Sequence, residues 1–104
     1  IRNILVSNMD LKELYLAQNN LEEDGAQAMK RALEHHKKLK ILDISGNNIA
    51  YEGLKFLKMI FRKSQKLEQL YMSENKLGSE GFVDALESLK DNKIRVLTLA
   101  WNDI

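Results

Sequence analysis

Leu11-Lys12-Glu13-Leu14-Tyr15-Leu16-Ala17-Gln18-Asn19-Asn20-Leu21 places leucine at its first, fourth, sixth and eleventh positions and asparagine at its ninth. The pattern returns as Leu39, Leu42, Ile44, Asn47 and Ile49, then as Leu67, Leu70, Met72, Asn75 and Leu77. A fourth copy runs through Ile94, Leu97, Leu99, Asn102 and Ile104. The copies begin at 11, 39, 67 and 94, which gives periods of 28, 28 and 27 residues. A unit of that length is one supersecondary element and cannot enclose its own apolar face, whereas stacked copies can. The pattern therefore predicts a solenoid in place of a globule around a pocket. Solenoids mostly serve to bind other proteins.

In each copy the pairs Leu14/Leu16, Leu42/Ile44, Leu70/Met72 and Leu97/Leu99 alternate with other residues. Alternation at period 2 predicts short strands with one buried face, at 13–17, 41–45, 69–73 and 96–100. Asn19, Asn47, Asn75 and Asn102 stand where the chain leaves each strand. An amide there can both donate to and accept from loop backbone that has lost its ladder partners, so these four read as a structural ladder.

A helix follows each strand. Glu23-Asp24-Gly25, Tyr51-Glu52-Gly53 and Ser79-Glu80-Gly81 mark the starts, with acidic residues favourable at the N-terminal end of the helix dipole. Apolar stripes run through Ala26, Met29, Ala32 and Leu33, through Leu54, Leu57, Ile60 and Phe61, and through Phe82, Ala85, Ser88 and Leu89. Offsets of 3, 6 and 7 describe one helical face. Helices are expected near 24–36, 52–64 and 80–91, closing at Lys37-Lys38, Lys63-Ser64 and Lys90-Asp91. Because strand and helix alternate, the strands must run parallel with the helices behind them. A shift by 28 pairs Ile1 with Met29 and Leu5 with Leu33. The 104 residues are thus expected to be an internal slice of a longer array, in contact with flanking repeats of the same chain.

The hydrophobic fraction of 44%, the charged fraction of 30% and the formal charge of +1 describe a single domain without a global pull toward nucleic acid or anionic membrane. No apolar run approaches the length of a membrane helix. There is no cysteine, hence no disulfide framework or thiolate metal site, and no asparagine begins an N-x-Ser/Thr sequon. These features fit a reducing, cytoplasmic location.

The segment Asn20 to Leu33, N-L-x-x-x-G-A-x-A-M-x-x-A-L, together with the four-fold repeat, resembles the ribonuclease-inhibitor-like class of leucine-rich repeats, and the likeness covers essentially the whole chain. The resemblance implies an α/β horseshoe segment, with parallel strands on the concave face and helices on the convex face. The class includes ribonuclease inhibitor, the Ran GTPase-activating protein, sensor domains of innate-immune receptors, and cytoskeletal and ciliary proteins. It implies protein binding without fixing the partner.

Residues between the buried leucines point out of the sheet. Tyr15, Asp43, Tyr71 and Thr98 form one row, with successive strands ~4.8 Å apart. Glu13, Gln69, Glu74 and Trp101 lie beside it. Tyrosine and tryptophan are enriched among binding hot spots, which makes Glu13, Tyr15, Asp43, Gln69, Tyr71, Glu74 and Trp101 the candidate partner surface. Aromatic residues also simply suit strands, and Trp101 could equally pack on a neighbouring repeat. The second helix presents Lys55, Lys58, Arg62, Lys63 and Lys66, and the third presents Glu80, Asp84, Glu87 and Asp91. These convex patches read as solvated faces with inter-helix ion pairs, or as a secondary docking patch for an acidic protein.

His35-His36 is an adjacent pair on a helix without a third ligand, which reads as surface and not as a metal site. G-x-x-x-x-G-K-[ST], G-x-S-x-G and H-E-x-x-H are all absent. The expectation is a non-catalytic scaffold for a protein partner, without cofactor, metal or small-molecule ligand. It carries no membrane or nucleic-acid role and belongs in a cytoskeletal or ciliary assembly. The alternatives are a GTPase-activating module resembling the Ran-directed one, acting through Gln18, Asn20, Asn48 or Lys76 at the strand ends, and a sensor or autoinhibitory segment of an innate-immune receptor.

Overall fold

A computed structural model describes residues 11–34 and 36–102. The order is β1 (Glu13–Tyr15), α1 (Glu22–Ala32), β2 (Ile41–Asp43), α2 (Tyr51–Lys63), β3 (Gln69–Tyr71), α3 (Gly78–Leu89) and β4 (Val96–Thr98). The strands form one sheet in sequence order, every neighbouring pair parallel. The register follows the repeat: Leu14 stands beside Leu42, Leu42 beside Leu70 and Leu70 beside Leu97. Helices α1, α2 and α3 pack side by side behind the sheet.

The core lies between the two layers. Leu42, Ile44, Leu70 and Met72 from the sheet are fully buried, as are Leu54, Leu57 and Phe61 of α2. Ala26, Met29 and Ala32 of α1 and Ala85 and Leu89 of α3 complete it, while Phe82 and Ser88 are half-buried. The apolar anchors Ile49 and Leu77 close the turns between strand and helix. Backbones approach closely there: a Cβ on Gly53, in the first turn of α2, would sit 2.9 Å from Ile49 Cγ2.

The elements depart from expectation at their ends. Each strand is three residues long, two fewer than expected. Inter-repeat hydrogen bonds nonetheless continue past the strands, from Leu16 N to Asp43 O at 2.8 Å and from Gly46 N to Ser73 O at 2.9 Å. The chain turns off the sheet at Gln18, Gly46, Glu74 and Trp101, which share left-handed backbone with φ of 59°, 66°, 59° and 60°. Helix α1 stops at Ala32 and not near residue 36, because the chain turns back at Leu33 and His36 N donates to Leu33 O. The three N-termini have no side-chain cap; acidic residues in the first turn, Glu22, Glu23 and Asp24 in α1, Glu52 in α2 and Glu80 in α3, face the positive end of each dipole.

The asparagines tie each repeat to the one before. Asn47 Oδ1 accepts from Asn19 N at 2.9 Å and Leu21 N at 3.2 Å, while its Nδ2 donates to Leu16 O at 2.9 Å and Ser45 O at 3.1 Å. Asn75 repeats the arrangement one unit on, accepting from Asn47 N and Ile49 N and donating to Ile44 O and Met72 O. Asn102 accepts from Leu77 N and donates to Met72 O and Leu99 O. Asn19 is exposed, and among the described residues its amide donates to Leu16 O and Ala17 O.

Candidate protein-interaction surface

Parallel register decides which outward residues meet. Glu13, Ile41, Gln69 and Val96 share one row, and Tyr15, Asp43, Tyr71 and Thr98 share the next. The backbone of β2 and β3 is engaged in the ladder on both sides and that of β1 and β4 on one, so over the middle of the sheet the side chains are what a partner would meet. Tyr15 is 58% exposed, while Asp43 and Tyr71 are half-buried beside it.

Each tyrosine lies along its own strand. Tyr15 Oη donates to Glu13 Oε1 at 2.9 Å, and Tyr71 Oη donates to Gln69 Oε1 at 2.7 Å. The Glu13 carboxylate holds the Tyr15 phenol above its ordinary value of 10.0, first through that hydrogen bond, with desolvation and the nearby negative charges adding to it. Asp43 Oδ1 accepts from Ser45 N at 3.0 Å, which fixes its carboxylate over β2.

Beyond the strands, Gln18 Nε2 donates to Glu74 Oε2 at 3.3 Å, across the intervening repeat. The bridge depends on Gly46, where an added Cβ would fall 2.0 Å from Gln18 Nε2. The 28-residue offset aligns Gln18, Gly46 and Glu74 in the sequence, but the side-chain bridge between Gln18 and Glu74 forms only in the fold. Trp101 occupies the same row at the far edge and is 80% exposed. Gln18, Glu74 and Trp101 hold left-handed backbone without being glycine, a conformation that costs a non-glycine residue ~1–2 kcal/mol. The structure thus gathers Glu13, Tyr15, Asp43, Gln69 and Tyr71 in one patch, with Glu74 and Trp101 on its rim.

The convex basic residues are divided. Lys58 Nζ reaches both oxygens of Asp84 on α3, at 3.1 and 3.0 Å, in a half-exposed ion pair. Such pairs contribute ~0–1 kcal/mol. Lys55 Nζ lies 5.1 Å from the centroid of the Phe56 ring. Lys63 borders the shallow α1/α2 groove with Lys30, Leu33, Glu34, Met59 and Ile60. Arg62 and Lys66 are exposed.

One histidine departs from the sequence reading. His36 is not a surface residue: it is 2% exposed, because the early end of α1 carries the chain inward. His35 lies outside the described residues. His36 falls in register with buried Ser64 and half-buried Asn92, whose Nδ2 donates to Phe61 O at 3.2 Å. The 28-residue steps from His36 to Ser64 and from Ser64 to Asn92 are the signal for this second inward polar row. Among the described residues, no three or more His, Cys, Asp or Glu side chains are grouped to hold a metal ion. No helix among them is long and apolar enough to cross a membrane.

No curated protein matches the chain by sequence. The fold is similar to that of the tropomodulin C-terminal domain from Caenorhabditis elegans, with a TM-score of 0.83 at 18% identity over 97% of this chain. The chain spans 62% of the length of that structure. A family model described as Leucine Rich repeat matches residues 7–30, 35–58 and 63–83. These matches follow the repeats seen in sequence and coordinates alike, and the chain belongs to the leucine-rich repeat family.

Proposed function

We propose that this chain is a non-catalytic scaffold that docks a protein partner on its concave sheet, in the ribonuclease-inhibitor-like branch of its family. The observation that carries this reading is the registered row Tyr15–Asp43–Tyr71, whose side chains face outward from one parallel sheet. Rigid aromatic side chains with two χ angles lose little freedom when a partner covers them. The 28-residue period and a helix of 11 to 13 residues behind each of the first three strands support the branch assignment. The setting proposed is cytoplasmic, in a cytoskeletal or ciliary assembly, with neither nucleic acid nor membrane as partner.

The test is capture of the native partner by the wild-type protein and by three variants: Tyr15→Ala, Tyr71→Ala, and Lys58→Glu with Arg62→Glu. The concave variants are expected to lose the partner while the charge reversal keeps it. Loss confined to the charge reversal moves the working surface to the convex side.

A further inference from the structure

Two tyrosines flank a strand that presents only short side chains. On β1 and β3 the outward residues are Glu13 with Tyr15 and Gln69 with Tyr71, whereas β2 between them offers Ile41 and Asp43, followed by Ser45 and Gly46. The hydroxyl contacts to Glu13 and Gln69 run along β1 and β3, the tyrosines' own strands, and do not cross β2. Its floor is half-buried Ile41 and Asp43. One end is closed by the Gln18–Glu74 bridge over Gly46. The result is a slot one strand wide, with aromatic walls, an apolar and anionic floor, and a carboxylate at each end.

The dimensions and charge select the occupant. Tyr15 and Tyr71 are two strands apart, about 10 Å at the backbone. A flat group in contact with a ring on each side needs about 7 Å between ring planes, less than the spacing of the two strands, so the rings turn inward over β2 as the occupant enters. Glu13, Asp43 and Glu74 place three carboxylates on or beside this row. The Tyr15 phenol registers that field, since Glu13 and Asp43 both favour its protonated form. A cation over tyrosine faces is attracted by the ring quadrupole. A guanidinium is planar, stacks on aromatic rings and pairs with a carboxylate through two parallel N–H donors; an ammonium does neither.

From this geometry we infer that the Tyr15–Asp43–Tyr71 slot receives an arginine side chain of the protein partner, stacked between the two rings and paired with Asp43. The inference rests on the concave docking surface proposed above and names what that surface reads.

The probe is a capped Gly-Arg-Gly peptide, titrated into the intact protein carrying 13C-labelled tyrosine rings. Tyr51, on the convex side, is the internal reference. The Tyr15 and Tyr71 signals are expected to move together and Tyr51 to stay. The citrulline analogue has the same shape without the charge and is expected to leave all three unmoved, and a lysine analogue to bind more weakly than arginine. Asp43→Asn keeps an oxygen for Ser45 N–H, so folding is preserved, and is expected to weaken arginine binding by about tenfold, for loss of a charge-assisted bidentate pair. Tyr71→Phe keeps the ring and is expected to bind. Equal shifts with citrulline, or an Asp43→Asn variant that binds like wild type, overturn the slot.

The native partner separates this failure from failure of the docking surface. If Tyr15→Ala and Tyr71→Ala lose the partner but Asp43→Asn retains it, the surface stands and the arginine slot falls. If the peptide moves both tyrosines and only the convex reversal loses the partner, the slot is a real site and the concave partner surface falls.

Discussion

Two rows cross this molecule at the same 28-residue interval, one facing in and one facing out. Inward, Asn47 and Asn75 each make at least four hydrogen bonds and are 0% and 3% exposed. Outward, among the described residues, Tyr15 and Tyr71 each make one, to a neighbour on the same strand. The period is common to both rows and so carries no information about purpose. What separates them is how completely each side chain is committed to its own fold. A committed row holds the solenoid together, and an uncommitted row is free to recognise something else.

The contrast is broken most forcefully by attacking the inner side. Leu70→Ala removes a fully buried leucine from the middle of the sheet and is expected to cost ~2–5 kcal/mol, measured by denaturant unfolding. Asn47→Ala is expected next, at ~2–4 kcal/mol, since it strands two donors of the turn it holds, Asn19 N and Leu21 N, while Leu16 O and Ser45 O keep their bonds from Asn19 Nδ2 and Gln18 N. Asn19→Ala should cost clearly less, because that amide is exposed and makes two bonds to its own repeat. Equal losses at the two positions would show that burial does not grade the ladder. Gly46→Ala introduces a side chain at φ 66° and displaces the Gln18 bridge, with an expected loss of about 1 kcal/mol.

On the outer side, Tyr71→Ala is expected to change stability by no more than ~0.5 kcal/mol while weakening partner binding by ~1 kcal/mol or more. The smallest effect is a titration. The Tyr15 phenol holds its proton above 10.0 because Glu13 accepts from it. Its contribution to stability is therefore present below pH 10 and is lost as pH rises through the raised folded value. Glu13→Gln removes the charged acceptor and should return the Tyr15 transition toward 10.0, read from its ring resonances.

Most of the fold is legible in the sequence because repetition states it four times. Four strands, three helices and parallel order follow from one register and a switch of apolar period. The element ends were less legible. Nothing in Gln18, Glu74 or Trp101 announces left-handed backbone; of the four residues in that row, only Gly46 does so by type. The expected helix runs on to residue 36 and so places His36 at the surface, although its match to Ser64 and Asn92 marks the turn. At the candidate surface, the sequence supplies the row Tyr15, Asp43 and Tyr71. It does not supply the Gln18–Glu74 bridge, nor the Lys58–Asp84 pair that takes one lysine out of the basic patch. Those contacts depend on side-chain reach across a neighbouring repeat, which spacing along one chain does not encode.

The asparagine bonds point one way along the chain. Asn47 completes the turn that begins at Leu16, Asn75 the turn at Ile44, and Asn102 the turn at Met72. A repeat is thus finished by a residue that the ribosome delivers roughly one period later. During synthesis the newest turn is always the open one, its donors and acceptors left to water until its successor emerges. The bonds are ordered like a row of hooks, each fastened by the next.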